Sequence, residues 1–333
     1  MNVRTMILPV LLLGALLTGC NTTQPQRGVL IMAHGGSDQW NEAVEQAVGP
    51  IREKYPTALA YGMARQDTME QAVRELEAQG VEEVAVVRLF ISGDSFLDRT
   101  ETLLGLNDAE PPRAVAASHH KHDHHGAGHA EHGSNGARDH DSGGHSHHMG
   151  PVHPITTHLT FKLSRTGVAE SPLVDEILVE RVEATLSEDP GRERVLILAH
   201  GPADDAENER WLAQMRLRAQ ALCEVGSFAH VQVETLREDW AQRRAQSESR
   251  IRRYVEAGTE AGERVIVVPF RVAGFGPYAR VLEGLEYVAD EQGFCPHPLM
   301  TRWIEQTAQA CFAAAPEAPA PTGQRVAERA QDR

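Results

Sequence analysis

An apolar run that stops on a histidine and a glycine occurs twice in this chain, and few architectures can use such a pattern twice. Gly28 to Gly36 reads GVLIMAHGG and Arg194 to Pro202 reads RVLILAHGP, so two runs of equal length deliver His34-Gly35 and His200-Gly201 to their ends. A short continuous apolar run closed by a turn residue suits a strand buried on both faces of a parallel sheet. A second pair of runs, Val84 to Ile91 (VAVVRLFI) and Val265 to Val272 (VIVVPFRV), stands at the matching place in each half. Both lead into glycine-containing loops, Ser92-Gly93-Asp94-Ser95 and Ala273-Gly274-Phe275-Gly276. Parallel strands point their carboxyl ends to one edge, where open α/β sheets bind ligands, so His34 and the loop after Ile91 are expected to be neighbours.

The segments between these runs carry helical signals. Ser37 is a good N-cap for a helix to Lys54, with Trp40, Ala43, Val44, Ala47, Val48 and Ile51 as its apolar stripe. A strand at Ala58 to Gly62, a helix from an Asp67 cap to Gln79, a helix at Phe96 to Leu104, a strand at Ile155 to Lys162 and a helix at Glu170 to Leu186 complete the first half. In the second half, Asp204 or Asp205 caps a helix to Leu222, and a strand follows at Phe228 to Leu236. An Arg-rich helix at Glu238 to Ala257 and helices at Tyr278 to Glu291 and Met300 to Ala314 come after it. Strands alternating with helices imply an α/β chain of two doubly wound parallel-sheet lobes in tandem, over residues 28–186 and 194–314.

Three stretches stand outside this pattern. Residues 1–19 form a leader, with a positive start at Met1 to Arg4 and an apolar segment at Met6 to Leu17. Its end, Leu17-Thr18-Gly19-Cys20, resembles the lipobox of bacterial lipoproteins. That implies cleavage before Cys20, lipidation of Cys20, a tether over residues 20–27 and a membrane-held protein of the cell envelope. Asn21 at the next position implies the outer membrane, facing the periplasm. Residues 111–154 turn abruptly to His, Gly, Asp, Ser and Ala, hold 12 of the 17 histidines and are expected to be a disordered insertion. The imidazoles of His119, His120, His122, His124, His125, His129, His132, His145, His147 and His148, with Asp123, Asp139 and Asp141 among them, suit Zn, Ni, Cu or Co with little discrimination. The Ala/Pro/Glu-rich tail, residues 315–333, is also expected to be disordered.

With 32 basic and 47 acidic residues the net charge is −15, which argues against nucleic acid as a partner. Apart from Cys20, Cys223, Cys295 and Cys311 permit one disulfide and leave one thiol over; none forms a Cys-x-x-Cys pair. Gly274-Phe275-Gly276 lacks the spacing of a dinucleotide fingerprint.

The order found here is a strand ending in His-Gly, a helix, a short strand, a helix ending in Gly, then an apolar strand entering a Gly loop. It resembles the class II chelatases, in particular the sirohydrochlorin cobaltochelatases, as a tandem chain. The resemblance is best over Gly28 to Gly105 and weaker over Arg194 to Glu291. It implies that a divalent metal (Co, Ni, Zn or Fe) is inserted into a tetrapyrrole, sirohydrochlorin or haem-like, held between the halves. Histidine would ligate the metal and help to take protons from the macrocycle. A neutral imidazole is suited to both tasks.

That pattern places a second histidine two residues after the glycine of the third strand. Ser95 and Gly276 stand there instead, so each half keeps one histidine of the pair. Three arrangements follow: His34 with Asp94, His34 facing His200 across the cleft, or a scaffold that binds without catalysing. His34, His200 and Asp94 are therefore the candidate catalytic residues, His34 and His200 the candidate metal ligands of the cleft, and Gly35, Gly93, Ser95, Gly201 and Gly274 the candidate ligand-binding turn. The function expected is chelatase-like; the alternative is a non-catalytic envelope lipoprotein that binds or stores metal. A tandem chain completes its own cleft, so a monomer is expected.

Overall fold

The computed structural model describes residues 25–107 and 151–314. The leader, Cys20, the imidazole run from His119 to His148 and the tail lie outside these residues. The first half contains β1 (Arg27–Ala33), α1 (Asp38–Arg52), β2 (Thr57–Tyr61), α2 (Gln66–Ala78), β3 (Glu83–Leu89), α3 (Leu97–Leu103), β4 (Thr160–Leu163) and α4 (Leu173–Glu183). The second contains β5 (Glu193–Ala199), α5 (Asp205–Ala219), β6 (His230–Thr235), α6 (Ala241–Glu260), β7 (Arg264–Pro269), α7 (Tyr278–Val281) and α8 (Pro298–Ala313).

All strand pairing in the two sheets is parallel, in the orders β2-β1-β3-β4 and β6-β5-β7. The two His-Gly runs are thus the internal strands β1 and β5. Their side chains alternate between two apolar environments, which is why the sequence shows no polar alternation. Val29, Ile31 and Ala33 join Val195, Ile197 and Ala199 in one inner core that spans both sheets and takes in α1, α4, α5 and α8. Leu30 and Met32 face outward against α2 and α3, and Leu196 and Leu198 against α6 and α7. Full burial of each such side chain stabilises the fold by roughly 1.5–3 kcal/mol.

The lobes exchange their last helices. α8 packs on β3, β4 and α1, and α4 packs on β7 and α5. Thr301 Oγ1 donates to the Ala47 carbonyl at 2.7 Å, Lys54 Nζ meets Glu305 at 2.7 Å, and the Tyr55 and Phe312 rings lie 5.7 Å apart. Arg181 donates to the Gly293 carbonyl at 3.0 Å, and Arg218 pairs with Asp175 at 3.2 Å. An amphipathic helix specifies that one face is buried and leaves open which sheet covers it.

The N-caps at Ser37 and Asp204 form as expected, accepting from Trp40 N and Glu207 N. Four local expectations change. Asp67 does not cap α2; its carboxylate pairs with Arg65, which occupies the cap position in extended geometry. The helix expected to Glu291 ends at Val281. Gly284 takes a left-handed φ of 79°, and Val288 then bridges to Ile266, exchanging backbone hydrogen bonds with Val265 and Val267. Val288 thereby holds the place beside β7 that β4 holds beside β3. The strand expected from Ile155 begins only at Thr160, because the register on β3 spans Thr160 to Leu163. Finally, residues 151–154, the end of the segment expected to be disordered, are anchored. Val152 packs on the outer core of the first lobe, and His153 N donates to Gln66 at 2.9 Å. Cys223, Cys295 and Cys311 are all free, and burial pushes the Cys295 and Cys311 thiols up to about 12 and about 11.

Candidate functional site

His34 and His200 follow β1 and β5 directly, and the next residue makes the same turn in both halves. Gly35 and Gly201 have φ of 79° and 78°, a left-handed conformation in which only glycine is unstrained. The turns also approach the neighbouring strand closely. A Cβ on Gly35 would lie 3.2 Å from Tyr61 Cβ, and one on Gly201 2.6 Å from Thr235 Cβ. Ala33 is paired with Tyr61 and Ala199 with Thr235, so the equivalence of the two turns is one of register as well as sequence.

The two imidazoles interact electrostatically but sit in different surroundings. The charged neighbours acting on His34 are His200, Arg271 and Asp239, all contributed by the second lobe. His34 Nδ1 lies 3.1 Å from the Gly35 carbonyl oxygen, which can only accept, so Nδ1 carries the proton and Nε2 keeps its lone pair. The residue is exposed by its surface, yet the surrounding protein desolvates its ring. Desolvation, helped by His200 and Arg271, lowers its pKa against the opposing Gly35 hydrogen bond and Asp239. His200 is held at both nitrogens, with Nδ1 2.7 Å from the Gly201 carbonyl and Nε2 2.9 Å from Asp239 Oδ2. Both partners accept, so these contacts favour the protonated ring. Burial opposes its charge, but the Asp239 hydrogen bond and the nearby Glu238 outweigh that and raise its pKa. Trp240 meets the His200 ring edge-on at 6.2 Å.

Of the three arrangements open to the sequence, the structure bears on the pairing of His34 with His200, since the His200 charge acts on His34 across the lobes. Asp94 is directed elsewhere: its carboxylate pairs with Arg210 of α5 at 3.1 Å, tying the loop after β3 to the second lobe. The carboxylate facing the histidines is Asp239. Sequence reading missed it because it lies in the loop after β6, far along the chain from either His-Gly motif. The one available signal was the acidic pair Glu238-Asp239 at the end of a strand neighbouring His200. As a metal ligand His200 is placed differently from His34, since neither of its nitrogens offers a free lone pair. Among the described residues no group of three or more His, Cys, Asp or Glu side chains is placed to hold a metal ion.

The loop after β3 is organised by Arg88, a cation 1 % exposed. It donates to the carbonyls of Ser164 at 2.8 Å, Ser95 at 2.7 Å and Gly93. Glu170 accepts from Gly93 N at 3.2 Å and Gly167 N at 3.0 Å. A Cβ on Gly93 would stand 2.3 Å from the Arg165 carbonyl oxygen, so this glycine serves close packing. Gly274, its counterpart, has open space around its Cα and a φ of 68°. In the second lobe the strand-end cation is Arg271, which pairs with Glu238 and lies 5.5 Å over the Tyr278 ring.

Residues 28–104, which carry His34, Gly35, Gly93, Asp94 and Ser95, match the model of the CbiX family. That match covers the first part of the first lobe, 77 of the chain's 333 residues. No curated protein matches the chain in sequence. Among solved structures, SirB from Bacillus subtilis with Fe3+ aligns with a TM-score of 0.54 at 13% identity, covering 86% of this chain and 96% of that one. The sirohydrochlorin chelatase SirB from Bacillus subtilis subspecies spizizenii in complex with cobalt gives 0.49 at 10% identity, over 86% and 95%. A multi-domain Deinococcus radiodurans protein with structural similarity to chelatases gives 0.48 at 18% identity, over 86% of this chain; this chain spans 55% of its length. The CbiX segment thus holds the first histidine, the Fe3+-bound SirB structure shares the two-lobed chelatase fold, and His200, Asp239 and Trp240 lie beyond the matched segment.

Proposed function

We propose that the interlobe cleft takes a divalent metal and a tetrapyrrole as substrates and inserts one into the other. The observation that carries this reading is the unequal histidine pair: one imidazole with a free lone pair faces one held as a cation. His34 Nε2 is the metal ligand, a borderline nitrogen donor that suits Co, Ni, Zn or Fe. Its lowered pKa keeps it neutral, and so able to ligate, into mildly acidic solution. Insertion also requires protons to leave the macrocycle nitrogens. Asp239, held against His200, is the carboxylate proposed to accept them, in place of the supporting Asp94 of the sequence reading. The fixed charge of His200 faces the acidic substituents of the macrocycle.

Anaerobic incubation with sirohydrochlorin and Co(II), followed by absorbance, tests this reading. The wild type should accelerate insertion over buffer and His34→Ala should not. A second reading draws on the lack, among the described residues, of a preformed three-ligand group: an envelope protein that binds metal on a chelatase scaffold without turnover. A wild type no faster than buffer would establish that alternative and end the first.

Two further parts belong to the proposal. The imidazole-rich insertion is a metal store for the cleft, tested by titrating Ni, Co and Zn into the chain with and without residues 112–148; equal stoichiometry in both would end that idea. Cys20 carries the lipid that holds the protein at the envelope, tested by the mass of the mature N-terminus.

A further inference from the structure

Away from the two histidine turns, a groove of about 560 Å³ lies between α5 and α6, with Val233 and Glu234 of β6 in its lining. Four arginines line it, Arg216, Arg237, Arg243 and Arg250, against the three acids Asp205, Glu209 and Glu234. On a chain of net charge −15 this is a local reversal of sign. The pairing inside the groove is uneven. Arg250 meets Glu234 at 3.4 Å and Arg216 meets Glu209 at 3.9 Å, but Arg237 and Arg243 both converge on Asp205. Both also donate to the Ala203 carbonyl. The adjacent Asp204 is turned to the helix terminus as the cap of α5.

Two guanidiniums share the Asp205 carboxylate at that end, and Asp204 acts on Arg243 as a second acid. Arg237 is left the less satisfied of the two, because the residue is 6 % exposed and its Nε has no hydrogen-bond partner. Its backbone is in the left-handed region, φ 58°, which is strained for a side chain of this size. The same end abuts the histidine turn, since a Cβ on Gly201 would lie 3.1 Å from Arg237 Cδ. The Asp205 side chain is 73 % exposed, and a carboxylate from solution has the same chemistry toward the guanidiniums it pairs with.

We propose that this groove is a binding site for a polycarboxylate, whose acidic groups displace Asp205 from Arg237 and Arg243 and reach Arg250 along the groove. Two sources share that chemistry: a free small tricarboxylate, or the acidic substituents of a macrocycle seated at the histidines. Only the second rests on the function proposed above.

The test is calorimetric binding of citrate, and separately of an octacarboxylate porphyrin, to the full chain and to two variants. Arg243→Ala/Arg250→Ala removes two exposed arginines that touch neither histidine; an unchanged unfolding midpoint establishes that it folds. It should weaken citrate at least about tenfold, the scale of one lost charge-assisted hydrogen bond. Asp205→Asn removes the competing carboxylate and should tighten citrate by up to about fivefold, which a merely structural role for Asp205 would not do. Porphyrin weakened in parallel with citrate assigns the groove to ring-borne carboxylates, whereas citrate weakened alone assigns it to a free polycarboxylate. Citrate affinity unchanged in the double variant, or reduced in Asp205→Asn, would overturn the site whatever the chelatase assay returns.

Discussion

Alanine at the two histidine turns should be costly to unequal degrees, and the structure supplies both terms of the difference. Gly35 and Gly201 have nearly the same left-handed φ, so each Gly→Ala change carries about 1–2 kcal/mol of backbone strain. The loss of unfolded-chain freedom returns about 0.4–1 kcal/mol to both. The close approaches differ. At Gly35 the new Cβ meets Tyr61 Cβ at 3.2 Å, which a shift of a few tenths of an ångström relieves. At Gly201 it meets Thr235 Cβ at 2.6 Å, an atom fixed to the backbone of β6, so the strand itself must move. Overpacking of that kind costs roughly 1–3 kcal/mol. Gly35→Ala is therefore expected to destabilise by about 1 kcal/mol and Gly201→Ala by about 2–4 kcal/mol. Equilibrium urea unfolding measures both, with an unchanged m-value showing that the effect is one of stability. Equal costs, or a neutral Gly201→Ala, would refute the claim that the second turn is the tighter one.

Asp239→Asn should lower the His200 pKa, read from the NMR titration of its ring protons. The sign for stability follows: because the folded pKa is raised above the ordinary 6.5, the Asp239–His200 contribution is complete below 6.5 and disappears as pH rises through the folded value. The stability gap between wild type and Asp239→Asn should accordingly close at alkaline pH. Arg88→Met should strip donors from the Ser164, Ser95 and Gly93 carbonyls and cost about 3 kcal/mol or more in urea unfolding. A chain ending at residue 297 loses α8, with Met300, Trp303 and Ile304 of the inner core, and should fail to fold in the first lobe as well as the second. Hydrogen exchange at the β3 amides checks this; native protection there would refute the helix exchange.

What the sequence disclosed follows from where the physics is local. The apolar runs at β1, β3, β5 and β7 were legible because strands buried on both faces need uninterrupted apolar side chains, and the echo of His34-Gly35 in His200-Gly201 marked the paired turns. The Ser37 and Asp204 caps were legible because a cap is a contact within one helical turn. Asp67 misled because Arg65, two residues earlier, competes for its carboxylate. The stop at Val281 was illegible because Val288 is drawn into the sheet by β7, a tertiary contact that overrides local helical preference. Asp239 escaped notice for the same reason, as its partner is 39 positions away in the chain; nothing near it in sequence says that His200 is there.

On the proposed function, His34, alone of the two strand-end histidines, presents a free nitrogen to metal. Co(II) titration of the chain lacking residues 112–148, which removes the competing imidazoles, tests it most directly through the visible absorbance of the bound ion. One Co(II) per chain is predicted, lost in His34→Ala and retained in His200→Ala. Retention in His34→Ala, or loss in His200→Ala alone, would contradict the account.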